Sequence, residues 1–257
     1  MTIHFYKYQG AGNDFIMIDD RNEEFPSDPG LIAGLCDRHF GIGADGLILI
    51  RNQPGYDFRM VYFNADGPEG SMCGNGGRCA VMFAHHLGII GDQTRFLAYD
   101  GEHTASVQGE IVRLSMRDVG QITRKDPVYF VNTGSPHHVE FVDNVGEVNV
   151  MERGKAVRYS DEYVPAGTNV NFVEKIDVQE LKVRTYERGV ENETLACGTG
   201  VTACALTAAE IYGWAGPVKV TVPGGELSVE FTRSGAGFSD IFLVGPARVV
   251  FKGTVEA

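Results

Sequence analysis

Apolar and polar positions alternate along this chain with two different periods. FIMIDD (15–20), GLILIR (46–51) and DFRMVYF (57–63) predict strands in the first part, and HHVEFVD (137–143), VNFVEK (170–175) and LKVRTYE (181–187) predict strands in the second. Two Ala-rich segments break that pattern. RCAVMFAHHL predicts a helix over 76–87 and VTACALTAAEIY one over 200–212. Both are apolar on most sides, as a helix enclosed by sheet must be. Further strand pairs follow each helix. The order is not a regular strand–helix alternation, so the expectation is α+β rather than a doubly wound α/β fold.

The two parts are copies of one plan. At an offset of 124, CGNGGR (73–78) falls on CGTGVT (197–202), Glu69 on Glu193, Tyr62 on Tyr186 and Gly43 on Gly167. Asp45 falls on Asn169, and Gly101-Glu102 on Gly225-Glu226. Near the start the offset drifts to 122, where Gly12-Asn13-Asp14-Phe15 meets Gly134-Ser135-Pro136-His137. A domain-sized period implies two pseudo-symmetric halves, each a mixed β-sheet curled around a central helix. A hinge is expected near Gly120, giving halves of 1–119 and 120–246. The run ARVVFKG has no counterpart before residue 120, so 247–257 is expected to complete the first half. An active site would lie in the cleft between the halves.

Composition narrows the function classes. The 257 residues are 43% hydrophobic and 22% charged, which is ordinary for a globular chain of one large domain or two small ones. The net charge of −12 and the absence of a Lys/Arg run argue against a nucleic-acid binder. No apolar run reaches the roughly 20 residues of a membrane span, and MTIHFYKYQGAGNDF has no signal-peptide core. The five cysteines are odd in number and widely spaced, unlike a secreted disulfide framework. A cytoplasmic protein is expected, and a homodimer, the commonest soluble assembly.

Common cofactor motifs are weak or missing. Gly41, Gly43 and Gly46 spell G-x-G-x-x-G, but a strand rather than a helix follows. Gly198, Gly200 and Ala203 do precede a helix, but loop separates them from the last strand and no acidic partner follows. There is no P-loop, and the cysteine spacings do not suit zinc. No metal and no cofactor are expected. Cys36, Cys79 and Cys204 sit in apolar patterns and read as small buried hydrophobes.

Cys73 and Cys197 stand apart. Each precedes Gly-x-Gly at the start of a predicted helix, where first-turn N–H groups and the dipole favour an anion. Such a position favours thiolate, and the glycines let backbone approach a bound carboxylate. Two thiols at equivalent places suit inversion of a carbon centre. One removes a proton from one face and the other delivers a proton to the opposite face.

GAGNDF (10–15), NADG with MCGNGGRC (64–79) and ERGVENETLACGTG (187–200) resemble the diaminopimelate epimerase family in motif order and spacing along the whole chain. The resemblance implies interconversion of LL- and meso-diaminopimelate by two cysteines without pyridoxal phosphate, for lysine and peptidoglycan-precursor synthesis. It also implies a fold of two similar halves, each a sheet round a central helix. It assigns Cys73 and Cys197 to catalysis. Asn13, Asn64, Gly74, Asn75, Gly198 and Thr199 match substrate-binding positions. Asn169, Glu187 and Arg188 match recognition of the distal amino-acid end, where an Arg fork and an acidic partner suit a carboxylate and an ammonium. The chain departs from many members at Gly46, where Gln is common, and at Ser135, where Asn precedes Pro-His. Gly46, Ser135 and His137 are therefore expected to shape the site.

Proline-racemase-like and phenazine-biosynthesis-like isomerases are the nearest alternatives. The Glu187-Arg188 pair and the Gly-Asn-Asp-Phe motif argue against them. A thiol-redox protein is the alternative from another class, but redox pairs usually lie close in sequence. A noncatalytic amino-acid-binding module would leave the two equivalent thiols unexplained.

Overall fold

The computed structural model describes residues 1–256. The chain divides into one unit of Met1–Leu114 with the residues from Gly245 onward, and a second of Ser115–Val244. The division falls earlier than the expected hinge near Gly120. Met116 N–H donates to Ile241 O at 2.8 Å, and Val119 exchanges backbone hydrogen bonds with Phe238. Those bonds tie residues 115–119 to the second unit.

The first unit runs β1 (Thr2–Gly10), β2 (Asn13–Asp19), α1 (Pro29–Cys36), β3 (Gly46–Arg51), β4 (Arg59–Asn64), α2 (Gly74–His86), β5 (Gln93–Ala98), β6 (Gly101–Gln108) and β7 (Ile111–Ser115). Its neighbouring strands pair antiparallel, parallel, antiparallel, parallel, antiparallel and antiparallel in chain order.

The second unit runs β8 (Thr123–Lys125), β9 (Val128–Asn132), β10 (Pro136–Phe141), α3 (Val150–Arg158), β11 (Asn169–Asp177), β12 (Glu180–Glu187), β13 (Asn192–Thr194), α4 (Gly198–Tyr212), β14 (Val218–Val222), β15 (Gly225–Ser234) and β16 (Gly237–Pro246). From β9 the pairings repeat the same six directions, with β14 parallel to β12. The last strand, β17 (Arg248–Glu256), pairs antiparallel with β1, as β8 does with β9. The repeat read from glycine-rich motifs is thus a repeat of sheet topology. The stretch before Gly198 is not all loop, because β13 lies within it and pairs with β12.

Each long helix is enclosed by the strands of its own unit. α2 touches β1, β2, β3, β4, β6 and β17, and α4 touches β9, β10, β11, β12, β14 and β15. The helix sequences explain why a sheet can wrap them. In α4, Ala203, Cys204, Ala205, Leu206, Ala208 and Ala209 are fully buried, and most are too small to hold the strands apart. In α2, Val81 and Phe83 are fully buried, each worth about 1.5–3 kcal/mol in transfer from water. Phe83 also meets Tyr8 of β1, with ring centroids 5.6 Å apart. Gly213, with φ of 69°, ends α4 in the left-handed conformation that a side chain resists. No described helix is long and apolar enough to cross a membrane.

Candidate active site

Wrapping each helix places its first turn at one end of the sheet. The two N-caps are Cys73 and Cys197, both in extended backbone conformation with φ of −109° and −117°. The repeat therefore puts a thiol at the positive end of each buried helix.

In the first unit, Cys73 Sγ accepts from the Gly76 N–H at 3.5 Å and donates to Asn13 Oδ1 at 3.6 Å. Asn75 Nδ2 reaches the same oxygen at 3.3 Å. Asn13 Nδ2 donates to Asp45 Oδ2 at 2.6 Å, which fixes the amide with its oxygen toward the thiol. Asp14, next in the chain, pairs with Lys7 and Arg38, each at 2.8 Å. Despite partial burial, those two cations hold its carboxyl down at about 2. Gly74 opens α2 beside this group.

Gly46 and Asn64 lie one row away, as direct partners across β3 and β4. A Cβ on Gly46 would come within 2.6 Å of the Tyr62 ring, so Tyr62 occupies the space that a longer residue would need. Tyr62, which the sequence marked only as a position of the repeat, is thus a neighbour of Gly46.

The second unit is built differently on the same plan. Cys197 Sγ lies 3.5 Å from the Thr199 hydroxyl, and His137 Nε2 lies 3.0 Å from that same hydroxyl. His137 Nδ1 faces Asn171 Nδ2 at 3.1 Å. The same Asn171 nitrogen donates to His138 O at 2.8 Å, and Asn171 Oδ1 accepts from the Thr185 hydroxyl at 3.0 Å. These partners fix the amide. Asn171 must donate to His137 Nδ1, so the proton of the neutral ring is on Nε2. His137 then donates to Thr199, whose own proton is left for the Cys197 sulfur. Burial, with the Arg188 charge adding, pushes the His137 pKa down to about 3, so the ring is neutral. Asn171 was not marked by the motifs either. A Cβ on Gly200 would meet its Oδ1 at 2.5 Å, so the second glycine of Cys-Gly-x-Gly makes room for it.

Asn169 joins this group from the start of β11. Its Nδ2 donates to Ser135 Oγ at 3.0 Å and Pro136 O at 2.9 Å, and its Oδ1 accepts from the Arg188 N–H at 2.9 Å. Ser135 thus holds Asn169. Glu187 accepts from the Thr194 hydroxyl at 2.8 Å, and the Arg188 guanidinium donates to Ala166 O at 3.0 Å. Arg184 grips Glu193 with two bonds of 2.6 and 2.7 Å, which fastens β13 to β12 below the Glu187-Arg188 corner. Gly198 opens α4 next to Cys197.

The remaining cysteines have no such surroundings. Burial pushes the thiol of Cys36 up to about 11 and that of Cys79 up to about 12, and raises that of Cys204. They stay protonated and inert. A surface recess lined by Leu31, Gly34, Phe40 and Val255 carries neither helix-capping thiol.

Comparison with known proteins bears on the family and the fold. The sequence profile described as "Diaminopimelate epimerase" matches residues 5–128 and again 129–250, once for each half of the repeat. A diaminopimelate epimerase of Flavobacterium psychrophilum is 51% identical over 254 residues, covering 97% of this chain and 99% of that one. Another, of Aquifex aeolicus, is 42% identical over 277 residues and covers 99% and 98%. Among solved structures, a phenazine biosynthesis protein of the PhzF family from Bacillus anthracis superposes with a TM-score of 0.77 over the full length of both chains. At 16% identity that likeness concerns the fold. With its motifs, its duplicated plan and relatives this close over their full length, the chain belongs to the diaminopimelate epimerase family.

Proposed function

We propose that this protein interconverts LL- and meso-diaminopimelate, with Cys73 and Cys197 as the two acid/base groups on one α-carbon. The observation that carries the reading is the repeated placement of a thiol as N-cap of an enclosed helix, in a chain of this family. One cysteine, as thiolate, takes the α-proton: the C–H bond breaks and an S–H bond forms. The other, as thiol, gives its proton to the opposite face: its S–H bond breaks and a C–H bond forms with inverted configuration. The reverse reaction exchanges the roles.

The α-carbanion needs stabilisation, because an amino-acid α-proton is a very weak acid. The first turns of α2 and α4 offer preorganised N–H groups to the carboxylate on which charge develops. Gly74, Asn75, Gly198 and Thr199 supply that end, with Asn13 and Asn64 beside it. Asn169, Glu187 and Arg188 take the distal end, where the guanidinium suits a carboxylate and Glu187 an ammonium. Such a reaction serves lysine and peptidoglycan-precursor synthesis.

The deciding experiment is proton NMR of reduced protein with LL-diaminopimelate in D2O and no added cofactor. The α-proton signal should disappear as the meso isomer grows in. A folded, reduced sample that exchanges no α-proton removes the reading.

We also propose that the protein works in the cytoplasm as a homodimer. Its five cysteines are unbridged, which suits a reducing compartment. Val249, Val250 and Phe251 on β17 are all exposed, with Val250 58% accessible. A second copy packed against β17 would account for these exposed apolar side chains. Sedimentation showing a monomer at micromolar concentration would remove the dimer.

A further inference from the structure

Arg78 is the largest fully buried side chain among the described residues. It lies near the start of α2, folded back toward the first turn. Its Nη1 donates to Gly74 O at 3.3 Å and its Nη2 to Asn75 Oδ1 at 3.0 Å, while its Nε has no partner. No carboxylate pairs with it among the described residues; the titratable groups that act on it are the thiols of Cys79 and Cys73. A guanidinium keeps its proton in proteins. A full positive charge therefore sits in the interior without a counter-ion.

That placement is unfavourable twice over. Burial penalises the charge, and a helix N-terminus is already positive. The charges beside Asn13 pair with one another. Asp14 pairs with Lys7 and Arg38, and Asp45 with Arg38 at 2.7 Å. Cys79, with its raised pKa, is neutral. The group left to carry a compensating negative charge is Cys73.

The repeat supplies a contrast. Residue 202 stands at the equivalent step of α4 and is threonine. Its hydroxyl donates to Gly198 O at 3.0 Å, the counterpart of the Gly74 carbonyl. The contact is kept and the charge is absent. The end of β1 is shaped around the arginine, since a Cβ on Gly10 would come within 3.3 Å of both Arg78 Nη2 and Cys79 Sγ. Arg78 also fixes the Asn75 amide, turning its Nδ2 toward Asn13.

We propose that Arg78 is a positioning residue that supplies the counter-charge for the Cys73 thiolate, through space and through Asn75, and so makes the two thiols inequivalent. The negative charge is favoured at Cys73 over Cys197 for that reason. The inference deepens the reading of Cys73 as an acid/base group and rests on it.

The test measures the thiol without turnover. In the Cys197→Ala background, the rate of Cys73 alkylation by iodoacetamide is followed against pH, with and without Arg78→Met and Arg78→Lys. Arg78→Met should move the Cys73 titration upward by about one unit or more, which is about a tenfold loss of thiolate below the midpoint. Arg78→Lys should restore most of it. With both cysteines present, Arg78→Met should lower kcat about tenfold and leave KM within about threefold. A folded Arg78→Met protein whose Cys73 titrates like its parent overturns the proposal. If diaminopimelate is not turned over at all, the titration still decides.

A second measurement needs no change at Arg78. A thiolate held below its unfolded pKa adds stability that is fully present above that value and is lost as pH falls through the folded one. The gap in Tm between the parent and Cys73→Ser should therefore widen as pH rises from about 6 to about 9. A constant gap overturns the proposal even if Arg78→Met does not fold.

Discussion

Cys73→Ala and Cys197→Ala should each lower epimerisation by about 10²–10⁴-fold, the range expected when a positioned acid or base is removed. The double variant should be little worse than either single one, because inversion needs both groups and the first loss already breaks the sequence of proton transfers. Both proteins should still fold. Cys73 contributes a weak cap to Gly76 at 3.5 Å, and Cys197 a contact to Thr199 at 3.5 Å. Losing one such contact costs about 1 kcal/mol, and Cys73→Ala should lose more, because it also takes the counter-charge from the buried Arg78. Stereochemistry makes the test sharper. A variant with one thiol can still exchange the proton of the isomer facing that thiol, without inversion. Deuterium entering one isomer with no epimer formed would assign each cysteine to a face. Near-normal turnover by either single variant would sink the two-base mechanism.

The two sulfurs proposed to act differ from the other three in their surroundings. The three deeply buried thiols are pushed up in pKa and do no acid/base work. Cys73 and Cys197 differ in place: each caps a helix start, which offers donors and a positive potential that a helix middle lacks. The duplicated fold delivers this environment twice, and the side chains around it then differ. Cys73 meets Asn13 and lies near the unpaired charge of Arg78. Cys197 meets a hydroxyl held by a neutral imidazole.

Much of this was legible in the residues. The period-two runs correspond to β2, β3, β4, β10, β11 and β12, and the Ala-rich runs to α2 and α4. Their burial makes the pattern strong, since an enclosed helix must be apolar on most sides. The short helices were not legible. α1 has eight residues with Gly30 and Gly34 inside it, and α3 has nine with Gly154. Glycine lowers helix propensity, and tertiary packing has to override it. Gly154 presses so closely on the Tyr186 ring that no side chain fits there. Of the site, residues in motifs were visible and residues supporting them were not. Arg78 looked like one more position in a helix, although a charge in an apolar run whose repeat partner is Thr202 was the available signal. Asn171 lies two residues after Asn169 on the same strand, so period two puts both on one face.

Asn171→Leu should be the most damaging change outside the two cysteines. The substitution nearly keeps the volume but removes every partner of a buried polar cluster. His138 O loses its side-chain donor, the Thr185 hydroxyl its acceptor, and His137 Nδ1 its donor. A buried group left unsatisfied costs about 1–3 kcal/mol, so the loss of stability should reach about 3 kcal/mol or more on the same scale. Activity should fall beyond what unfolding explains. With Asn171 gone, nothing sets the proton of His137 on Nε2, and Thr199 can donate to His137 instead of to Cys197. A misdirected group of this kind costs up to about 10²-fold in rate. Two readouts separate orientation from simple loss of fold. Nitrogen NMR should show His137 as the Nε2–H tautomer in the parent and as a mixture in the variant. The rate loss should persist at low temperature, where the variant is fully folded. The parent should also weaken in acid, because a histidine held neutral to about 3 in the folded state binds protons more readily when unfolded. That stability is present above about 6.5 and is lost as pH falls toward about 3. A folded Asn171→Leu protein with parental turnover and a single His137 tautomer would remove the amide from the chain of contacts that ends on the Cys197 sulfur.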